Sequence, residues 1–387
     1  MTWPLSPRST RPRRSIPCRK TSDGNRSGES AVPPAMTAKS AANDPHPLPS
    51  KLVYVDDQLP GISRRKSGHG WAYFDARGQR IRDREEIDRL NAVAMPPAYK
   101  DCWFCPSPHG HILATGFDEK GRKQYRYHPA FREAKDSAKY ERCADFGRHL
   151  PLLRARVEAD LAGRKLARDT VLAAIVRLLD LGRVRVGNEA YAKANKSFGA
   201  TTLRNRHAKV SGSKLRLEYL GKSGKMQKLT IEDGRLARIV RRCQDLPGQH
   251  LFQYLDDDGA RHGVGSADVN AYIREATGED FSAKDFRTWG ASVLAFDHIW
   301  AAGAEGKVSL KGMLEEVAAA LGNTPAISRK SYVHPALIEM CKTGDVTSLC
   351  EARLPRATRY LNPHERALIA FLDELASATS KETAKAA

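Results

Sequence analysis

The sequence predicts an α+β fold in which a small β-rich N-terminal domain is followed by a mainly α domain, and three observations predict it. Short β-prone runs punctuated by Gly, Asp and Pro fill residues 51–128. Apolar residues recur at helical intervals from about residue 131 onward. A chain of 387 residues with a hydrophobic fraction of 41% is long and apolar enough to bury two cores. The expected organisation is a disordered basic arm (1–50), a β-rich domain (51–130), a mainly α domain (131–350), and a C-terminal helix with a frayed tail (351–387).

The arm is rich in Pro, Ser and Arg, and its nine prolines would break the amphipathic helix that a transit peptide needs. Met36 is an alternative start. Strands are expected at Leu52-Val53-Tyr54-Val55, Trp71-Ala72-Tyr73-Phe74, Cys102-Trp103-Phe104 and His111-Ile112-Leu113-Ala114, with a helix at about 83–92 between them. Further on, Leu172, Ile175, Val176, Leu178 and Leu179 define a helix with little polar surface, hence a central one, with Asp169 as its expected cap. Ser266 opens another helix that ends near Gly278, and Ser282 with Asp285 resembles a capping box for a helix running towards Trp300. An amphipathic helix over 310–321 stops at Gly322. Inside this helical half, residues 214–220 alternate, 221–225 turn and 229–231 return, which predicts a β-hairpin carrying Lys222 on its exposed tip. From Ala376 the composition turns to Ala, Ser, Thr and Lys, and the chain is expected to fray.

Lys and Arg outnumber Asp and Glu by 64 to 45, a net charge of +19, so the leading partner class is a polyanion. Nucleic acid is favoured over an acidic membrane. No apolar run reaches the roughly 18 residues of a spanning helix, and the basic residues are spread rather than massed beside an apolar stretch. Cys18, Cys102, Cys105, Cys143, Cys243, Cys341 and Cys350 are odd in number and scattered, unlike a disulfide framework, which makes a reducing cytoplasm the expected compartment.

Five positions then line up in order: Arg185 in Arg-Val-Gly-Asn, Lys222 in Gly-Lys-Ser-Gly-Lys, Arg287 in Lys-Asp-Phe-Arg-Thr-Trp-Gly, and Asn323 and Tyr332 in Gly-Asn-Thr-Pro-Ala-Ile-Ser-Arg-Lys-Ser-Tyr. This series resembles the signature of type IB DNA topoisomerases of the small, poxvirus-like kind found in bacteria. The spacings agree too, with Lys222 standing 37 positions after Arg185 and Tyr332 nine after Asn323. The resemblance spans residues 52–337 and includes Gly121-Arg122-Lys123-Gln124-Tyr125-Arg126-Tyr127, similar to the family's DNA-contacting segment. It implies the fold shared by type IB topoisomerases and tyrosine recombinases. It also implies a 3′-phosphotyrosyl intermediate, religation without ATP, no metal or other cofactor, and duplex DNA as partner of a monomeric clamp on the bacterial nucleoid. Arg122, Lys123, Gln124, Tyr125, Tyr127 and Tyr191 become the expected DNA contacts.

Physical chemistry explains the combination. A phenol of pKa near 10 is about one part in a thousand ionised at neutral pH, so Tyr332 needs cations beside it to become a nucleophile. Arg185 and Arg287 supply them, and their planar forks match phosphate oxygens. Asn323 stands where viral members have histidine; it can donate a hydrogen bond but cannot transfer a proton. Lys222 is the expected acid for the departing 5′-oxygen.

Singly, each of the five reads more readily as an ion-pair, turn, helix-end or half-buried aromatic residue; order and spacing together argue otherwise. Gly-Lys-Ser at 221–223 is not a P-loop, because Arg216 stands where that loop needs glycine and a strand follows. Cys102 and Cys105, with His109 and His111 nearby, read as core cysteines rather than a zinc site. Asp256-Asp257-Asp258-Gly259 reads as a hairpin turn, and His334, before Pro335, as a surface helix cap. A tyrosine recombinase is the first alternative, disfavoured by Lys284 in the histidine place of His-x-x-Arg and by the leading strands. A non-catalytic DNA-binding protein would explain the charge and leave the tyrosine unexplained.

Overall fold

A computed structural model describes residues 48–49, 51–304, 308–344 and 353–386. The expected arm, apart from Leu48 and Pro49, lies outside the described residues, as do Met36, Cys18 and Cys350. The N-terminal part is a five-stranded antiparallel sheet built from β1 (Ile62–Ser67), β2 (Gly70–Phe74), β3 (Lys100–Phe104), β4 (Ile112–Phe117) and β5 (Lys123–Tyr127), in the order β2-β1-β3-β4-β5. Helix α1 (Arg84–Ala92) begins where the Asp83 side chain accepts from the Glu85 N–H at 3.2 Å, and it packs Leu90 into a small core with Ile62, Tyr73, Phe104 and Ala114. Cys102 and Cys105 are both buried. Strand β5 ends the order, so among the described residues one of its edges has no strand beside it, and Tyr125, Arg126 and Tyr127 are exposed.

Two local readings change. Leu52–Val55 forms no strand: Val53 makes a single parallel bridge to Gly110, and the Val55 N–H goes to the His111 ring at 3.1 Å. A side chain takes the donor that a ladder would have used. Strand β1 escapes a hydrophobic reading because Ile62 is its one apolar residue, yet it pairs with β2 along its length. Arg64 makes this possible by laying its guanidinium 3.9 Å from the Trp71 ring centroid and donating to the Met95 and Pro96 carbonyls.

Helix α2 (Pro129–Leu161) follows β5 with only the capping residue His128 between them. Helix α3 (Arg168–Gly182) is the central helix expected, with Leu172, Ile175 and Leu179 devoid of exposed surface; each such side chain contributes about 2 kcal/mol of burial. Asp169 is not its cap. The N-cap is Ala167, without a side-chain hydrogen bond, and Asp169 sits in the first turn paired with Arg156 at 3.2 Å. Helix α4 (Glu189–Asn195) precedes a three-stranded sheet of β6 (Ala208–Ser211), β7 (Lys214–Leu220) and β8 (Met226–Glu232). The β7–β8 pair is the expected hairpin. Helix α5 (Gly234–Gln244) comes next, then the hairpin of β9 (Gln253–Leu255) and β10 (Arg261–Gly263), whose turn is Asp256–Gly259 as read.

Helices α6 (Ser266–Thr277), α7 (Asp285–Ala304), α8 (Leu310–Leu321), α9 (Pro325–Ser331) and α10 (Pro335–Thr343) complete the large core. Gly278 and Gly322 end α6 and α8 in the left-handed region, at φ of 75° and 62°. The Asp285 carboxylate accepts the Ser282 N–H at 2.8 Å, half of the capping box. Helix α11 (Pro363–Ala386) continues where fraying was expected from Ala376. Its first turns dock through Leu368, Leu372 and a buried Glu365, which accepts from Arg154 at 2.7 Å while Arg154 also binds Asp180 at 2.8 Å. Among the described residues no helix is long and apolar enough to cross a membrane.

Candidate active site

The site forms where α3, α7, α8 and α9 present their ends. Helix α3 closes on Arg183 in the left-handed conformation (φ 50°), and the following Arg185 and Val186 carbonyls accept the Ala200 and Thr201 N–H groups at 2.8 and 2.7 Å. Gly199 permits that approach, because a Cβ there would lie 2.5 Å from the Arg185 carbonyl oxygen. The backbone under Arg185 is therefore pinned, and its guanidinium donates to Asn323 Oδ1 at 2.6 Å.

Arg287, in the first turn of α7, is 4% exposed. It donates to the Arg183 carbonyl and, at 3.1 Å, to the Leu321 carbonyl near the end of α8. Both acceptors are carbonyls that helix geometry leaves without intrahelical donors, and a cation suits that end of a helix dipole. The guanidinium carbon stands 4.8 Å from the Tyr332 ring centroid. Burial, then the Arg185 charge, lowers the Arg287 pKa.

Tyr332 caps α9, with its N–H and that of Val333 both bonded to the Ser328 carbonyl at 3.0 Å. Burial alone would raise the phenol's pKa, but Arg287, followed by Arg185, outweighs it by charge and hydrogen bonding and brings the pKa below the ordinary tyrosine value. Tyrosines buried without such relief move the other way: burial raises Tyr140, and it pushes Tyr219 up to about 12 despite the same two arginines at longer range. The phenol is thus the acidified one.

Asn323 follows α8. Because arginine only donates, the Asn323 oxygen must face Arg185, which leaves Nδ2 as a buried donor with no acceptor among the described residues. Lys222 lies on the exposed β7–β8 turn and lines, with Arg185 and Arg287, a cleft of about 340 Å³. Asn323 is thus bonded to Arg185, the Arg287 guanidinium stands over the Tyr332 ring, and Lys222 lines a cleft with Arg185 and Arg287.

The sequence reading missed several neighbours. Lys225 on the same turn reaches the Asn323 carbonyl at 3.4 Å. Gln227 fills the gap between the turn and α8, since a Cβ on Gly322 would meet its Oε1 at 2.0 Å. Arg183 is buried against Gly290, where a Cβ would lie 2.9 Å from its Nε. Lys139 of α2 donates to the Ser331 carbonyl at 2.5 Å. Lys139 touches the site from 192 residues away in sequence, whereas Arg183 stands two residues before Arg185 and meets Arg287 across 104 residues. Lys225 was readable, as the second lysine of Gly-Lys-Ser-Gly-Lys. His334 does cap α10, its Nδ1 accepting from the Ala336 N–H at 3.3 Å, but it is not a surface residue. Burial, and then Lys139, lowers its pKa to about 4.

The expected DNA contacts gather around β5. Tyr125 and Tyr127 are exposed and stacked, ring centroids 5.9 Å apart. Arg122 pairs with Asp118 at 2.7 Å and reaches the Tyr191 hydroxyl at 3.3 Å, joining the sheet to α4. Lys123 pairs with Asp57 at 2.6 Å, and Gln124 donates to Asp118 at 3.1 Å. Both cations are thus held by carboxylates.

Residues 128–349 match the family described as the catalytic core of eukaryotic DNA topoisomerase I, and residues 70–118 match the bacterial DNA topoisomerase IB N-terminal domain. DNA topoisomerase 1B of Acanthamoeba polyphaga mimivirus is 31% identical over 73% of this chain and 88% of its own. DNA topoisomerase 1B of vaccinia virus (strain Copenhagen) is 21% identical over 60% of this chain and 73% of its own. A solved structure of the XerH site-specific recombinase bound to its palindromic substrate covers 51% of each chain at 12% identity, with a TM-score of 0.35. With more than half of its length inside the catalytic-core match and nearly a third of its aligned residues shared with the mimivirus enzyme, the chain belongs to the type IB DNA topoisomerase family.

Proposed function

We propose that this protein relaxes supercoiled duplex DNA by cutting and rejoining one strand, with Tyr332 as nucleophile. The observation that carries the proposal is the Tyr332 ring standing 4.8 Å from the buried Arg287 guanidinium, together with an Arg185–Asn323 pair at 2.6 Å whose Asn323 Nδ2 has no acceptor among the described residues; the two arginines lower the phenol's pKa. The Tyr332 phenol gives its proton to solvent water and its oxygen attacks phosphorus, the bond to the 5′-oxygen breaks, and a 3′-phosphotyrosyl ester forms. Arg185 and Arg287 carry the charge on the pentacoordinate phosphorus, and Asn323 Nδ2 donates to a non-bridging oxygen. Lys222 gives the leaving 5′-oxygen its proton, as an alkoxide is too basic to depart alone. One phosphoester is exchanged for another of similar energy, so the same groups in reverse reseal the strand and supercoil strain drives rotation between the two steps.

The β-rich domain, residues 51–130, and the mainly α domain, residues 131–350, would close as a monomeric clamp around the duplex and act on the nucleoid. Tyr125, Tyr127 and Tyr191 present aromatic faces, and Gln124 a donor, while Arg122 and Lys123 exchange Asp118 and Asp57 for phosphates. Plasmid relaxation in EDTA without ATP is the test. The wild type should relax, and Tyr332→Phe should bind DNA and form no covalent adduct; strict need for metal or ATP, or an active Tyr332→Phe enzyme, would refute the mechanism.

A further inference from the structure

We infer that Lys139 is a positioning residue that holds the peptide carrying the nucleophile, an inference that rests on Tyr332 being that nucleophile. Its Nζ, on the third turn of α2, donates to the Ser331 carbonyl at 2.5 Å across 192 residues of sequence and stands 4.1 Å from the Tyr140 ring centroid. That carbonyl belongs to the peptide unit joining Ser331 to Tyr332, so its direction sets where the Tyr332 Cα and phenol stand. It is also one of the last carbonyls of α9, which lack intrahelical donors and attract a cation.

The rest of the turn leaves the peptide little other support on that side. The Tyr332 and Val333 N–H groups converge on Ser328, and the His334 N–H goes to Ser292 Oγ at 3.1 Å. His334 rests edge-on against Tyr140, centroids 5.5 Å apart, so α2 grips the segment at two adjacent residues. Lys139 carries the only side chain of that pair able to donate a charge-assisted bond. Helix α2 begins at Pro129, immediately after the strand bearing Tyr125 and Tyr127, and a rise of about 15 Å along the helix separates Pro129 from Lys139. The grip on the nucleophile is thus built on the same rigid rod that emerges from the proposed DNA-contacting strand.

Burial lowers the Lys139 pKa, opposed by Asp136, Tyr332, Cys143 and Asp285; Tyr140 and His334 are its other ring neighbours. The charge of the latch should therefore fade on the alkaline side earlier than an exposed lysine's would.

The test is single-turnover cleavage by Lys139→Met and Lys139→Arg on duplexes with an ordinary or a 5′-bridging-sulfur leaving group, the latter needing no acid. Lys139→Met should slow about 10- to 100-fold on both substrates, the scale of a misplaced reacting group, while DNA affinity measured in the Tyr332→Phe background stays within about twofold. Lys139→Arg, which keeps charge and donor, should recover most of the rate. On the sulfur substrate the wild type should lose rate at alkaline pH and Lys139→Arg should not. Wild-type rates in Lys139→Met, or rescue of that variant by sulfur, would overturn the inference, the second by making Lys139 an acid. If Lys139→Met does not fold, the pH profile of Lys139→Arg decides, and an unchanged alkaline limb overturns the latch. An adduct formed by Tyr332→Phe would instead remove the underlying nucleophile assignment.

Discussion

Replacing Arg287 by lysine separates charge from geometry at this site. Arg287 is 4% exposed, and its two terminal nitrogens serve two different carbonyls, those of Arg183 and Leu321. An ammonium is a single point and can satisfy one of them, leaving the other buried without a donor, which costs about 1–3 kcal/mol. A loss of about 2 kcal/mol corresponds to a fall in Tm of roughly 2–3 °C in a chain of 387 residues. The effect on chemistry should be much larger, because in the proposed mechanism guanidinium donors that would meet the phosphate are lost: loss of one such donor costs about 10²- to 10³-fold in rate. Rapid-quench measurement of adduct formation on a single-turnover duplex, beside a thermal melt, reads both quantities. The pH profile adds a second reading. The rate should rise with pH through the Tyr332 pKa, which Arg287 more than any other group holds down against burial. In Arg287→Lys the positive charge stays, so that limb should hardly move although the plateau collapses; in Arg287→Ala burial prevails and the limb should shift to higher pH. Cleavage by Arg287→Lys within about threefold of wild type would show that the fork is irrelevant, and an unshifted limb in Arg287→Ala would show that Arg287 does not acidify the phenol.

Asn323→Asp should be slower than Asn323→Ala in the same cleavage assay despite its closer shape. It keeps the Arg185 contact but puts an anionic acceptor where Nδ2 now offers a donor; equal rates would mean that Asn323 merely positions Arg185. Asp57→Asn should tighten DNA binding and steepen its salt dependence by up to about one unit of log–log slope, since it frees Lys123 from a 2.6 Å pair. A binding titration across salt concentrations that shows no change would leave Lys123 outside the interface. Glu365→Gln should destabilise the fold by about 2 kcal/mol at neutral pH, less than for a lone buried pair because Arg154 keeps Asp180. The Glu365 pKa is lowered in the fold, burial being outweighed chiefly by Arg154. Its stabilising contribution is therefore present above the ordinary carboxylate pKa of about 4.3 and lost as pH falls through the folded value. Melts of wild type and variant should converge on acidification, and a constant gap would contradict the assignment.

Legibility of the fold followed the periodicity of burial. Helices α3 and α8 could be recognised in advance because one face is continuously apolar, but only α8 could be ended, at the left-handed stop Gly322, and the cap of α3 was misplaced at Asp169. Strand β1 could not, since its inward contacts are made by the stem and guanidinium of Arg64, which hydropathy counts as polar. Leu52–Val55 failed for the converse reason: it has the composition of a strand, but the His111 side chain and an aromatic cluster of Tyr54, His111 and Phe131 take the place of a partner strand. Helix α11 past Ala376 is weakly patterned, and composition alone gave it no reason to persist.

The site divides along a different line. Residues proposed to contact phosphate or carry the proton are fixed in chemical type, so Arg185, Lys222, Arg287, Asn323 and Tyr332 stood out by type and spacing. Residues that hold those five in place are fixed only by what they touch. Arg183 offers a backbone carbonyl that any residue could offer, Gly290 offers space, Gln227 offers bulk, and Lys139 offers one hydrogen bond to a carbonyl. None of these demands leaves a trace in the neighbouring sequence, because each is met across a gap in the chain that only packing closes. The same division explains why a second lysine on the hairpin turn was passed over. Lys225 binds the Asn323 carbonyl, a role defined by the position of α8, whereas Lys222 was recognised by the chemistry it would perform. If the hairpin undocks when DNA enters, the Lys225 bond at 3.4 Å is the weak point at which it would part, and Lys225→Ala should then accelerate the closing step while leaving the sulfur-substrate rate set by Tyr332 and the arginines unchanged. A slower closing step in that variant would mean that Lys225 acts on DNA rather than on the resting turn.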